Sequence, residues 1–312
     1  MAPLGGPRAS IGKTVAVDDE VLAERRHLVA LCFRMLGTVT EAEDATQETY
    51  ARWYRLSAPE RAAIDNPSAW LTRVAGRVCL DLLGSARARR ESYIGEWLPE
   101  PVPLTAFAEP AADPLDRVTL DDTVSTALLV VLESMTPAER VAFVLHDVFA
   151  LPFDEIAEIV GRSAAACRQL ASSARRRVAQ APLRSVTRAE HDRVVSAFAV
   201  AAQSGELAQL ISVLADDVVL RSDGGGRVSS ALKPIHGADR VARFLLGIAQ
   251  KRPDIATLPL ETHDGLGFAL WDEGRIVGII TLDVQDGRVS SVQMMRNPDK
   301  LGLWDRVDPR LG

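Results

Sequence analysis

The sequence predicts a multidomain chain: two all-α helical domains, the second built on a helix-turn-helix, followed by an α+β domain in which a curved sheet wraps helices around a cavity. Three observations lead there. Apolar residues recur at helical spacing through most of residues 20 to 180, with a proline-rich interruption from Tyr93 to Pro114. An apolar helix, Phe153 to Val160, breaks at Gly161 and restarts at Ser163 as a basic helix. After Gly205 the pattern shifts to strand-like runs separated by Asp272-Glu273-Gly274 and Gln285-Asp286-Gly287, both hairpin turn sequences. A length of 312 residues fits two or three domains. The expected boundaries are 19–92 for the first helical domain, 93–114 for a linker, 115–181 for the second and 187–312 for the α+β domain.

In the first domain, helices are expected over Val21 to Leu36, about Thr40 to Leu56, and Pro67 to Leu83. Thr40 with Glu43 has capping-box spacing, and Asn66-Pro67 sets an N-cap beside a proline in the first turn. The second domain resumes with a helix from Leu115 to Met135, and Thr136-Pro137-Ala138-Glu139 opens the next. Gly161 can take the positive φ that stops a helix, and Ser163 can cap the one that follows. Thr187 with Glu190 starts the third domain, whose first helix presents Val194, Val195 and Phe198. A short helix then ends at Leu214, ahead of strand-like Val218-Val219-Leu220 and the glycine-rich turn Asp223-Gly224-Gly225-Gly226. A helix from Gly237 to Gln250 precedes strands at Gly267 to Trp271, Arg275 to Val284 and Val289 to Met295.

Net charge is −6, yet the stretch from Ile159 to Ala189 holds seven arginines and no acidic residue. Ile156, Ile159, Val160, Cys167, Leu170, Ala171, Ala174 and Val178 form one apolar stripe. Arg168, Ser172, Arg175 and Arg176 lie away from it, and Arg177 completes an arginine triplet; there a recognition helix presents side chains to base edges and phosphates. A solvated amphipathic helix is the plainer reading, but it normally intersperses acids among its arginines. Cys32, Cys79 and Cys167 occupy separated helical apolar positions, which fits buried free thiols rather than disulfides or zinc. Neither a metal nor a cofactor is implied. No apolar run is long enough to cross a membrane and Met1 to Asp18 lacks signal-peptide character, so no membrane partner and a cytoplasmic location are expected.

Two helices of the first domain carry further chemistry. Asn66 to Asp81 puts Arg73 and Arg77 four residues apart on one face, with Trp70 nearby and Arg87, Arg89 and Arg90 beyond, opposite a core face of Leu71, Val74, Val78 and Leu82. Such arginines can hold phosphates while bases of an opened strand are bound alongside, or can be ordinary surface arginines. The preceding helix is acidic, with Glu41, Glu43, Asp44 and Glu48, and Gln47 and Arg52 on the Asp44 side; Tyr50, Trp53 and Tyr54 supply bulk. It suits a protein partner, or is simply an exposed acidic face.

These pieces in this order resemble an extracytoplasmic-function sigma factor, over about residues 20 to 180. The resemblance implies that Asp44, Gln47 and Glu48 grip the clamp helices of bacterial RNA polymerase core. It implies that Asn66 to Asp81, Arg73 and Arg77 above all, recognise and melt the minus-ten promoter element, and that the helix-turn-helix reads the minus-thirty-five element of promoter DNA. Ser173 stands where the family often has arginine, which shifts those contacts toward Arg168, Arg175 and Arg176. Three short segments are similar to signatures of a subgroup with a SnoaL-like, NTF2-type extension: Trp97-Leu98-Pro99-Glu100-Pro101, Asp223-Gly224-Gly225-Gly226-Arg227, and Asn297-Pro298-Asp299-Lys300-Leu301. In that subgroup the extension modulates activity in place of a separate anti-sigma protein.

The competing reading makes the last domain an enzyme with Asp217, Asp223, His236 or His263 as its base. Each has a plainer role beside a strand, turn or connection, and no catalytic residue is expected. An operator-binding repressor would explain the helix-turn-helix but not the acidic helix or the Trp70 helix. Whether the cavity holds a small-molecule ligand is open from sequence.

Overall fold

The computed structural model describes residues 21–91, 93–104, 126–180, 186–305 and 307–310, with the side chains of 86–91 excepted. Parts of the expected linker and of the Leu115 to Met135 helix therefore lie outside the described residues. The chain forms two compact units. One comprises the chain to Gly84 with Pro137–Ala171; the other comprises Ser85–Thr136 with Ser172–Gly312.

The first unit is helical. Helix α1 (Arg25–Leu36) ends at Gly37, whose φ of 81° only glycine adopts cheaply. Helix α2 (Val39–Arg55) is capped by Thr38, whose side-chain oxygen accepts from the Glu41 N–H at 3.4 Å. The Thr-x-x-Glu box thus sits two residues before Thr40, because Gly37 ends α1 so abruptly that the chain re-enters a helix at once. A short helix, α3 (Ala58–Ala62), which the sequence pattern does not announce, carries its own capping box through Ser57 and Glu60. Helix α4 runs from Pro67 to Glu91, past its expected end; the Asn66 side chain accepts from Ala69 N–H at 3.0 Å. Leu28, Leu31, Phe33, Trp53, Leu71 and Cys79 are fully buried between these helices. At about 1.5–3 kcal/mol for each large side chain, their burial is what holds short helices that would not persist alone.

Helix α6 (Pro137–Phe143) continues into a π-helical turn at Val144–Val148, and α7 (Phe153–Val160) ends at Gly161 with φ of 69°. The next helix, α8 (Ala164–Gln180), starts with Ser163 accepting from Ala166 N–H at 3.2 Å. Gly161 and Ser163 therefore act as their sequence indicates. Cys167, Ala171 and Ala174 are buried, while Arg168, Ser172, Arg175, Arg176 and Arg177 are exposed.

The second unit holds helix α5 (Thr126–Glu133) and the α+β domain, whose helices α9 (Arg188–Ser204), α10 (Leu207–Val213) and α11 (Ala238–Lys251) pack on a six-stranded sheet. The strands are β1 (Leu214–Asp223), β2 (Ile235–His236), β3 (Ala256–Thr262), β4 (Gly265–Asp272), β5 (Arg275–Gln285) and β6 (Arg288–Met295), in the order β2-β1-β6-β5-β4-β3. Both expected hairpins close with two-residue turns in which each residue has positive φ: Glu273 at 47° with Gly274 at 85°, and Asp286 at 51° with Gly287 at 72°. Strand β3 is hard to read from sequence because Pro259 interrupts its pattern; as the sheet edge, β3 tolerates a missing donor. Strands β1 and β6, separated along the chain by β2, α11 and β3 to β5, pair in parallel, a long-range contact that no local signal encodes.

Alternation gives the sheet two buried faces. Val218, Leu220, Ile280, Leu282, Val292 and Met294 face the helices; Ala269, Ile279 and Met295 face a second cluster with Leu98, Leu301 and Trp304. Helix α5 belongs to that second layer through Val130. Its first turn is capped by Asp264, which accepts from Thr126 N–H at 2.7 Å and from the Thr126 hydroxyl.

Candidate nucleic-acid interface and linker clasp

In the first unit the acidic face of α2 is open. Asp44 and Gln47 are exposed, and Glu48 is partly exposed with Arg52 at 2.9 Å and Arg55 at 3.8 Å. The aromatic residues behave differently from the sequence reading. Trp53 is fully buried, edge-on to Trp70 at 5.3 Å between ring centroids, and the Tyr50 hydroxyl donates to the Val21 carbonyl. Only Tyr54 of the three is largely exposed.

Helix α4 presents Arg73 and Arg77 on one side as expected, but that side is occupied. Arg73 lies 3.5 Å from Glu155, and Arg77 donates to the Ile159 carbonyl at 2.7 Å. Glu155 and Ile159 belong to the first helix of the helix-turn-helix. Gly76 permits this approach: a Cβ there would lie 3.2 Å from Leu145 Cδ1 and 3.5 Å from Ile159 Cγ2. The expected core face is also corrected. The buried stripe is Leu71, Ala75, Val78, Cys79 and Leu83, whereas Leu82 is only half-buried and Val74 lines a groove with Trp70, Arg73, Arg77 and Glu158. Val74 is half-buried there, with Glu158 and Ile159 of α7 on the groove's other side.

Further contacts tie the same elements together. Arg140, buried on α6, donates to the Met35 carbonyl at 2.8 Å, and buried Arg34 sets its guanidinium 5.5 Å from the Phe149 ring centre. Asn66 and Arg77 remain exposed in part, and Arg168 sits over the Phe153 ring at 5.6 Å. Arg87, Arg89 and Arg90 have side chains outside those described.

In the second unit the three short signature segments meet. Asp223, at the end of β1, is 0% exposed, and the hydrogen bonds its carboxylate accepts among the described residues come from these segments and from the start of the linker. One carboxylate oxygen accepts from the Tyr93 hydroxyl at 2.6 Å and from Gly225 N–H at 2.9 Å. The other accepts from Leu98 N–H at 3.0 Å and Lys300 Nζ at 2.8 Å. Lys300 also donates to the Leu98 carbonyl at 2.5 Å and lies 3.9 Å from the Trp97 ring centre. Asn297 donates to the Tyr93 hydroxyl at 2.9 Å and accepts from Asp299 N–H at 3.1 Å. Pro99, Glu100 and Pro101 are buried beside this knot, and Trp304 donates to the Pro101 carbonyl at 2.9 Å.

The glycines of the turn have separate reasons. Gly225, with φ of 63°, leaves no room for a Cβ, which would sit 2.5 Å from Asn297 Cγ; Gly224 abuts the Val228 carbonyl. Arg227 pairs with Asp299 at 2.9 Å on the surface, where such a pair contributes little. Pro298 starts a 3₁₀ turn that ends by Leu301, which aims Lys300 inward. Sequence reasoning misses Tyr93 and Asp264, the latter in a turn between two strands; a buried carboxylate opposite a helix start leaves no local signature.

The four residues of the enzymatic reading are scattered. Asp217 and His236 are exposed, Asp223 is consumed in the knot, and His263 is buried with its backbone N–H on the Val102 carbonyl. None of them lines the cavity between the helices and the sheet.

Residues 21–89 match Sigma-70 region 2, and residues 125–178 match Sigma-70, region 4. Over 294 residues the chain is 40% identical to the ECF RNA polymerase sigma factor SigJ of Mycobacterium tuberculosis strain ATCC 25618 / H37Rv, spanning 90% of this chain and 92% of the relative. The chain is an extracytoplasmic-function sigma factor. It is also 35% identical over 282 residues to the probable sigma factor SigI of M. tuberculosis, covering 89% of this chain and 92% of that one. The crystal structure of M. tuberculosis SigJ matches it with a TM-score of 0.71 at 36% identity, over 92% of this chain and 98% of that chain. The sigma factor thus combines helical region 2 and region 4 with a SnoaL-like α+β extension. Among the described residues no helix is long and apolar enough to cross a membrane.

Proposed function

We propose that this sigma factor directs promoter-specific initiation by bacterial RNA polymerase core, and that its free form withholds the minus-ten surface until core binds. The observation that carries the second part is the capture of Arg73 and Arg77 by α7. Arginines meant for phosphate are here engaged within the chain, Arg73 by the Glu155 carboxylate and Arg77 by the Ile159 carbonyl and Asp81, while Asp44 and Gln47 stay open. Core polymerase can therefore be engaged first through α2, and the energy of that contact then favours a state in which α4 is released. Arg168, Ser172, Arg175, Arg176 and Arg177 carry minus-thirty-five recognition in this reading, with Asn66, Trp70, Arg73, Arg77, Arg87, Arg89 and Arg90 serving the minus-ten element.

The extension acts as a modulator through the linker. Its knot around Asp223 and Lys300 clamps Tyr93 to Val102, so it biases the positions available to what the linker connects, by no more than the difference in contact energy between states. Catalysis is not part of the reading, since among the described residues no carboxylate or histidine lines the cavity. The test is holoenzyme assembly with purified core followed by run-off transcription. Charge reversal at Asp44 should abolish assembly, and Glu155→Gln with Arg140→Met, which weaken the hold of region 4 on region 2, should raise binding to a pre-opened minus-ten bubble in the absence of core. If those two changes leave bubble binding unaltered, Arg73 and Arg77 are not being withheld.

A further inference from the structure

The SnoaL-like domain encloses a cavity of about 390 Å³ between α9, α11 and the inner face of the sheet. Its walls are apolar, with Phe198, Ala202, Leu245, Phe268, Ile280 and Met294 prominent. That volume lies in the range of small-ligand sites.

Two arginines line it, and they differ. Arg252 is balanced by Asp254 at 3.0 Å and Asp272 at 3.2 Å. Arg296 has no carboxylate at ion-pair distance among the described residues, and its Nε is buried without a hydrogen-bond partner. Its placement follows from β6, which it directly succeeds. Val292 and Met294 face the helices, so alternation turns residue 296 to the same side, while Met295 and Asn297 turn to the clasp. A guanidinium set against apolar walls is costly unless an anion compensates it. Burial foremost, and then the neighbouring Arg252, work against the Arg296 charge, with Asp272, beyond ion-pair distance, offsetting them only in part.

We infer that this cavity binds a small apolar molecule bearing a single carboxylate, such as a medium-chain or two-ring aromatic acid, with Arg296 as its counter-charge. The guanidinium offers the paired donors that a carboxylate accepts, and the walls take the hydrocarbon. The site binds and does not transform, because among the described residues its lining holds no acid, histidine, tyrosine, lysine or cysteine. Arg296 N–H donates to the Asp223 carbonyl at 2.7 Å, and Asn297 follows it, so an occupant would lie one residue from the linker clasp. Binding itself does not depend on the regulatory role proposed above.

The experiment is titration calorimetry of the full chain with 1-naphthoate and with neutral 1-naphthamide, near pH 7.5. The acid should bind at least tenfold more tightly than the amide. Arg296→Gln should remove that preference, Arg296→Lys should keep most of it, and Ala202→Phe should block both compounds in a variant whose thermal unfolding is unchanged. Equal binding of acid and amide by wild type, acid binding that survives Arg296→Gln, or no binding of either at millimolar concentration would each overturn the proposal.

Discussion

Replacing Lys300 with methionine removes one half of a buried ion pair and tests the clasp directly. Lys300 Nζ and Asp223 are 2.8 Å apart with side chains 7% and 0% exposed, so water cannot take over the lost interaction. Removing one partner of such a pair typically costs about 3–5 kcal/mol. Asp223 keeps three donors, from Tyr93, Leu98 and Gly225, which argues for the lower end, about 3 kcal/mol. The Leu98 carbonyl and the Trp97 ring lose their cation as well, but these contacts share the same ammonium and do not simply add. For a unit of this size, about 2–4 °C of melting temperature accompanies each kcal/mol, so the transition assigned to the α+β unit should fall by about 6–12 °C.

The assay is differential scanning calorimetry on the full chain, repeated with Asp223→Asn and with both changes together. The double variant, carrying neither charge, should recover at least half of the loss, and the cycle should show coupling of about 2 kcal/mol or more. A fall of less than 2 °C in Lys300→Met, or strictly additive single effects, would refute the idea that this pair organises the three segments.

Three other outcomes follow from the same geometry. Gly225→Ala should destabilise the extension by about 1–3 kcal/mol through its φ of 63° and its contact with Asn297, whereas Gly274→Asn, at an equally left-handed but open turn, should change stability by about 0.5 kcal/mol or less; denaturant midpoints decide between them. Burial and the Asp223 carboxylate hold the Tyr93 hydroxyl above the ordinary tyrosine range. The unfolded chain therefore ionises first, the contribution of Tyr93 is intact below about pH 10 and fades above it, and unfolding curves of Tyr93→Phe should lack that alkaline component. Arg176→Ala should weaken promoter binding evenly across sequences and lower the salt dependence, whereas Arg168→Ala should relax preference at one base pair by about 1–3 kcal/mol; equal behaviour of both in a salt-titrated binding assay would contradict the division.

Local chemistry makes much of this molecule legible in its sequence. Gly161 and Ser163 punctuate the helix-turn-helix, Asn66 starts α4, and Glu273-Gly274 and Asp286-Gly287 close the hairpins, because caps and turns depend on a few adjacent residues. The exposed arginines of α8 are likewise readable from helical period. Boundaries fail where two signals compete, as at Thr38 against Thr40, and Pro259 hides β3.

The amino-acid sequence by itself determined the kinds and order of the elements other than α3, β2 and β3, the basic face of α8 and the three short segments of the extension. Tertiary structure alone decided their partners. Arg73 and Arg77 read identically whether they face solvent, DNA or α7, since the choice rests on Gly76 letting Leu145 and Ile159 approach from about seventy and eighty residues away. Asp223, Lys300 and Tyr93 form one buried knot only because β1 pairs in parallel with β6 and brings the Asn297 turn beneath the linker. Such contacts arise from chain segments closing over long loops, where the energy lies in burial and pairing and leaves no local pattern to read.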